Sequence, residues 1–154
     1  MRSFAKSFLY AFRGIGYQLC YERNFRIHCF AALTVLLLSS FYDFSAVEWG
    51  LLILQICLVI GCESLNTAIE QTDNRITTEN CRQIRRAKDS AAAAVLIFAI
   101  GAVALAYFLF WDLTVFAAIV AYFSVWYRAL LLLLYVAVML VFIFCKKTYK
   151  KEKE

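Results

Sequence analysis

The chain has 154 residues, is 64% hydrophobic and 17% aromatic, and contains no proline and five glycines, with a net charge of +5. Soluble domains average about 45–50% apolar residues; the excess here, gathered in long runs, excludes an ordinary soluble domain and indicates an integral membrane protein. Leu- and Ala-rich runs without proline favour helices over the alternating strands of a membrane barrel. No nucleic-acid partner is expected.

In chain order, residues 3–20 predict an amphipathic helix. At about 100° per residue, Phe4, Phe8, Phe12, Ile15 and Leu19 share one face, and Arg2, Lys6 and Arg13 cluster on another. An aromatic-aliphatic face opposite a basic one suits a helix lying in the headgroup layer. The first 24 residues lack the compact apolar core and cleavage site of a secretory signal peptide. A first span is expected at Ile27–Phe41, a second at Val47–Glu70 and a third at Ser90–Trp111. A crossing needs about 20 residues, so the first span must borrow polar ends.

The link "YDFSAVEW" carries Asp43 and Glu48 without Lys or Arg, whereas "DNRITTENCRQIRRAKD" carries Arg75, Arg82, Arg85, Arg86 and Lys88. Positive residues mark the cytoplasmic side, so the N-terminus and the 73–89 link are expected inside. Residues 113–145 are apolar apart from Arg128, and "KKTYKKEKE" follows with five lysines. One further crossing, Ala129–Cys145, keeps those lysines inside. Residues 113–127 then lie in the outer interface, which suits Trp111, Trp126 and Tyr127. Six cysteines match no zinc or haem spacing, and most read as small buried hydrophobes. The expected fold is all-α integral membrane: an N-terminal amphipathic interfacial helix, three core transmembrane helices and an extra C-terminal transmembrane helix. Residues 1–111 form the membrane domain, and 112–154 an added hydrophobic segment with a basic tail.

Polar residues inside these runs need a reason. Glu63, Asn66 and Glu70 fall at i, i+3 and i+7, on one helical face. Asn66 alone could be polar glue between helices. Two carboxylates at headgroup depth need a cation or a proton. The basic 75–88 link attracts anionic lipid, and Lys88 and Asp89 open the third span, where a helix N-terminus can receive phosphate oxygens. The small residues "SAAAAV" allow close helix contact. Together these features suggest metal-assisted phosphoryl transfer to a lipid headgroup. Neither a Gly-x4-Gly-Lys-Ser/Thr loop nor the protein-kinase motifs occur. In "CYERNFRIH", Glu22 lies where the surface helix turns into the first span; pairing with Arg23 or Arg26 would explain it blandly. His28 alone requires no ligand.

"ESLNTAIE" (63–70), "RAKDSAAAAVL" (86–96) and "ERNFRIH" (22–28) together resemble the prokaryotic diacylglycerol kinase family of small integral-membrane lipid kinases, over roughly residues 3–111. The resemblance implies a homotrimer with sites between subunits at the cytoplasmic face of the bacterial inner membrane. It implies Glu63 as catalytic acid/base and Glu22 and Glu70 as carboxylates holding Mg²⁺. It implies ATP contacts at Tyr10, Glu22, Asn66, Glu70, Glu79, Lys88 and Asp89, and lipid contacts at Glu63 and Asn66. Asn74 stands where the family usually has aspartate, with Asp73 before it, and members usually end near Trp111.

The expected reaction is ATP- and Mg²⁺-dependent phosphorylation of a lipid primary alcohol. "ERNFRIH" and "VEW" look like the undecaprenol branch rather than the diacylglycerol branch. A small proton- or cation-coupled transporter would instead need ionisable groups through several spans, and a membrane adaptor would use the basic loop and tail alone.

Overall fold

A computed structural model describes residues 2–76 and 82–145 of the chain. All described elements are helices: α1 (Arg2–Tyr21), α2 (Arg23–Ser39), α3 (Ala46–Ile76), α4 (Arg82–Phe110), α5 (Leu113–Phe123) and α6 (Trp126–Phe144). Segments Ala46–Asp73, Arg82–Phe110 and Trp126–Phe144 are long and apolar enough to cross a membrane. At 17 residues, α2, where the first span is expected, covers about 26 Å and is not among these segments. Much of the expected 73–89 link is helix, because α3 runs on to Ile76 and α4 begins at Arg82. No Gly or Pro stands between residues 62 and 100, so nothing local stops either helix early.

The α3–α4 pair makes the most extensive contact, α2 lies on α3, α1 joins α2, and α6 packs on the other side of α2. The buried set is inside-out relative to a soluble protein. It holds Phe25, Leu52, Val59 and Ile143, but also Arg26, Ser39, Glu63, Asn66 and Thr67. Large apolar side chains face outward instead, such as Val103 at 72% and Phe108 at 79% exposure. That pattern suits a surrounding hydrocarbon phase, in which apolar surface has no reason to hide.

Helix ends are specified locally. Ser45 and Glu48 form a reciprocal capping box at the head of α3: the Ser45 backbone N–H and hydroxyl both donate to Glu48 Oε2 at 2.7 Å. Asp112 accepts from the backbone N–H groups of Thr114 and Val115 and caps α5. At 11 residues, α5 spans about 17 Å, too short to cross. Around this end Phe41 meets Tyr122 with ring centroids 5.2 Å apart, and Arg128 lies 4.1 Å over the Tyr122 ring. Of the residues expected at the outer interface, Trp126 and Tyr127 meet edge-on at the head of α6, their ring centroids 6.0 Å apart.

Hydrogen bonds from Thr114, first its hydroxyl and then its backbone N–H, hold the Asp112 carboxyl below the usual carboxylate range. A carboxyl stabilised this way supports the fold above its unfolded value and loses that support as pH falls through its folded value. The start of α5 is therefore expected to hold at neutral pH and to loosen only below the ordinary aspartate value. Amide-exchange protection at Thr114 and Val115, relative to the intrinsic rate at each pH, checks this across an acid titration; protection that rises in acid contradicts it.

Candidate active site

The α1–α2 junction is a single residue. Glu22 alone is extended there, at φ −100° and ψ 112°, between two helices. Its carboxylate caps nothing on its own helix. Instead Gln71 Nε2 donates to Glu22 Oε1 at 3.1 Å, tying the head of α2 to the far part of α3. The expected pairing with Arg23 or Arg26 gives way to this contact.

On α3, Glu63 and Asn66 are buried, at 4% and 7% exposure, while Glu70 is exposed. Asn66 Nδ2 donates weakly to Glu70 Oε1 at 3.4 Å. Asn66 Oδ1 is buried with no hydrogen-bond partner. Across the α2–α3 interface, His28 Nε2 stands 4.0 Å from Glu63 Oε2. So the buried Glu63 borders a histidine of α2, and one turn on along α3 stands an amide oxygen without a partner. Buried polar groups are rarely left this way without a role.

Above Glu63 lies a cavity of about 230 Å³ between α2, α3 and α4. His28 borders it at the Glu63 end, and its walls are otherwise aliphatic apart from Gln55. The Gln55 amide is engaged, donating to Phe98 O at 2.7 Å. Glu63 does not line this slot; His28, 4.0 Å from its carboxylate, stands between the two.

The other expected residues are placed as follows. Lys88, half-buried, and Asp89, exposed, lie in the second turn of α4. Tyr10 is 61% exposed on α1. Glu79 lies outside the described residues. Asp73, half-buried, has one carboxylate oxygen buried without a partner. His28 and Gln71 were not singled out by the sequence. Their signal is faint: Gln71 lies about 80° or more off the face of Glu63 and Asn66 on α3, and a glutamine there reads as an exposed end residue.

The donors also bear on magnesium. Among the described residues no three His, Cys, Asp or Glu side chains are gathered to hold a metal by themselves. Mg²⁺ characteristically takes one or two carboxylates and leaves its other positions to phosphate and water. Glu22 and Glu70 fit that mode and not a closed protein cage.

Comparison with known proteins agrees. A family model described as prokaryotic diacylglycerol kinase matches residues 9–110. The chain is 41% identical over 100 residues to an undecaprenol kinase of Bacillus subtilis (strain 168), covering 65% of this chain and 81% of that protein. It is 40% identical over 98 residues to a diacylglycerol kinase of Synechocystis, covering 63% and 56% of the two chains. To a diacylglycerol kinase of Escherichia coli (strain K12) it is 36% identical over 103 residues, covering 67% and 84%. The matched region holds α2, α3, α4 and their acids and stops before α5. The chain therefore belongs to the prokaryotic diacylglycerol kinase family and is a membrane lipid kinase.

Proposed function

We propose that the protein phosphorylates undecaprenol at the expense of ATP, with Mg²⁺, at the cytoplasmic face of the bacterial inner membrane. The observation that carries this reading is the buried Glu63 carboxylate, 4.0 Å from His28, which in turn lines an apolar slot. A lipid hydroxyl at that depth would give its proton to Glu63 as its oxygen attacks the γ-phosphorus, while the bond from that phosphorus to the β,γ-bridging oxygen breaks and ADP leaves. Asn66, buried one turn along α3, has amide N–H donors that can orient the oxygen of that hydroxyl. Glu22 and Glu70 would hold Mg²⁺, which when bound neutralises charge on the ATP phosphates. Lys88 would meet phosphate from the second turn of α4 rather than at its head, with Tyr10, Glu79 and Asp89 as further ATP contacts. A homotrimer belongs to the same proposal; the outward apolar face of α4 leaves surface for neighbouring copies or lipid.

The choice of undecaprenol over diacylglycerol rests on the slot and on the Bacillus subtilis relative. Diacylglycerol brings two ester groups close to its hydroxyl. The slot offers them only His28 and Gln55, and the Gln55 amide is already committed to Phe98. Desolvating ester oxygens without donors is unfavourable. A single hydrocarbon chain has no such requirement.

An assay in mixed micelles with ATP and Mg²⁺ tests this. Undecaprenol is expected to exceed diacylglycerol in kcat/KM by about tenfold or more, the discrimination that unpaired polar groups typically produce. Preference for diacylglycerol reverses the lipid assignment. Phosphorylation of neither lipid leaves the proposed reaction without support.

A further inference from the structure

The segment after Trp111 lies beyond the family match, yet its last helix reaches the head of the site. Arg26 is 5% exposed, a cation enclosed within a membrane bundle. Such a charge is costly unless compensated. Its compensation comes from α6: Arg26 Nη1 donates to Phe142 O at 2.5 Å and to Cys145 O at 2.9 Å. These are carbonyls that a helix C-terminus leaves unsatisfied, at the negative end of the helix dipole. The guanidinium also lies 5.5 Å over the Phe142 ring, and that ring meets Phe30 edge-on. Arg26 Nε remains buried without a partner, so the group is held here largely through Nη1 and the ring.

The same residue closes the first turn of α2. Its backbone N–H donates to Glu22 O at 3.3 Å. One amino acid therefore joins the end of α6 to the extended residue that carries a site carboxylate. The contact continues along α2. Thr34 Oγ donates to Phe30 O, so Tyr135 OH donates to Thr34 Oγ at 2.8 Å. Further on, Phe41 meets Tyr122 and Phe123. With α3 on one side of α2 and α6 on the other, the α2 head has little freedom to shift.

We propose that Arg26 is a positioning residue and α6 its anchor, so that the C-terminal helix is a working part of the kinase site that sets where Glu22 stands. This rests on the reading of Glu22 as a metal carboxylate. In the full-length protein, Arg26→Gln is expected to speed amide exchange of residues 23–28 about tenfold. With a non-hydrolysable ATP analogue, half-saturating Mn²⁺, read by electron paramagnetic resonance, should rise by about tenfold. The lipid KM should stay within about twofold, because Arg26 faces α6 and not the slot. Arg26→Lys should recover part of both effects. Tyr135→Phe, a mild change farther along the contact, should shift both in the same direction and by less.

Unchanged exchange at residues 23–28 overturns the proposal. So does a fall in the active fraction with no change in Mn²⁺ half-saturation, since Arg26 would then only hold the fold together. Glu22→Gln is measured in parallel. If it leaves Mn²⁺ half-saturation unaltered, the metal role of Glu22 fails, and the anchor is judged on exchange alone.

Discussion

Glu63→Gln is expected to lower lipid phosphorylation by about 10²–10⁴-fold, the contribution of a positioned general base. Glutamine keeps the size of the side chain and its place beside His28, but it cannot take the proton of the attacking hydroxyl. Glu63 is 4% exposed, so water has little room to stand in as base. The loss should fall on kcat, with ATP and lipid half-saturation little changed, because the missing interaction belongs to the transition state. Single-turnover phosphorylation of undecaprenol by the variant in micelles measures it. A variant that keeps rates within a few-fold of the native protein removes Glu63 from this role.

Glu70→Gln should act differently. Glu70 is exposed one helical turn beyond Asn66, and one of its oxygens is held only by the long contact to Asn66. As a metal carboxylate it should set the concentration of Mg²⁺ that the enzyme requires. Half-saturating Mg²⁺ is expected to rise by about 10–100-fold, the scale seen when groups that support a metal are lost. Much of the rate should return at high Mg²⁺. Loss that no amount of Mg²⁺ restores would mean that Glu70 does something else, such as orienting Asn66. Opposite responses to metal at Glu63 and Glu70 would separate proton transfer from metal binding along a single stripe of α3.

That stripe is legible without any structure. Glu63, Asn66 and Glu70 share a face because helical periodicity is a local property, and burial then singles out Glu63 as the deepest of the three. The same holds for the capping box at Ser45 and Glu48, a four-residue pattern that reads directly from the chain. The link after residue 73 was less legible. Its charges suggested a polar loop, yet a charged stretch without Gly or Pro can continue a helix into water, and α3 does so up to Ile76.

The chain alone determined the class of the protein: apolar runs of membrane length, an amphipathic first helix, a basic link and an acidic stripe. Each of these depends on composition or on spacing within a few helical turns. Tertiary structure decided the partners. Glu22 and Gln71 are 49 residues apart, and Arg26 and Cys145 are 119 apart. His28 meets Glu63 only because α2 lies against α3. Helix periodicity fixes which side a residue faces but not what arrives there. For that reason the sequence offers Arg26 only as a partner for Glu22, whereas the fold encloses it against the end of α6.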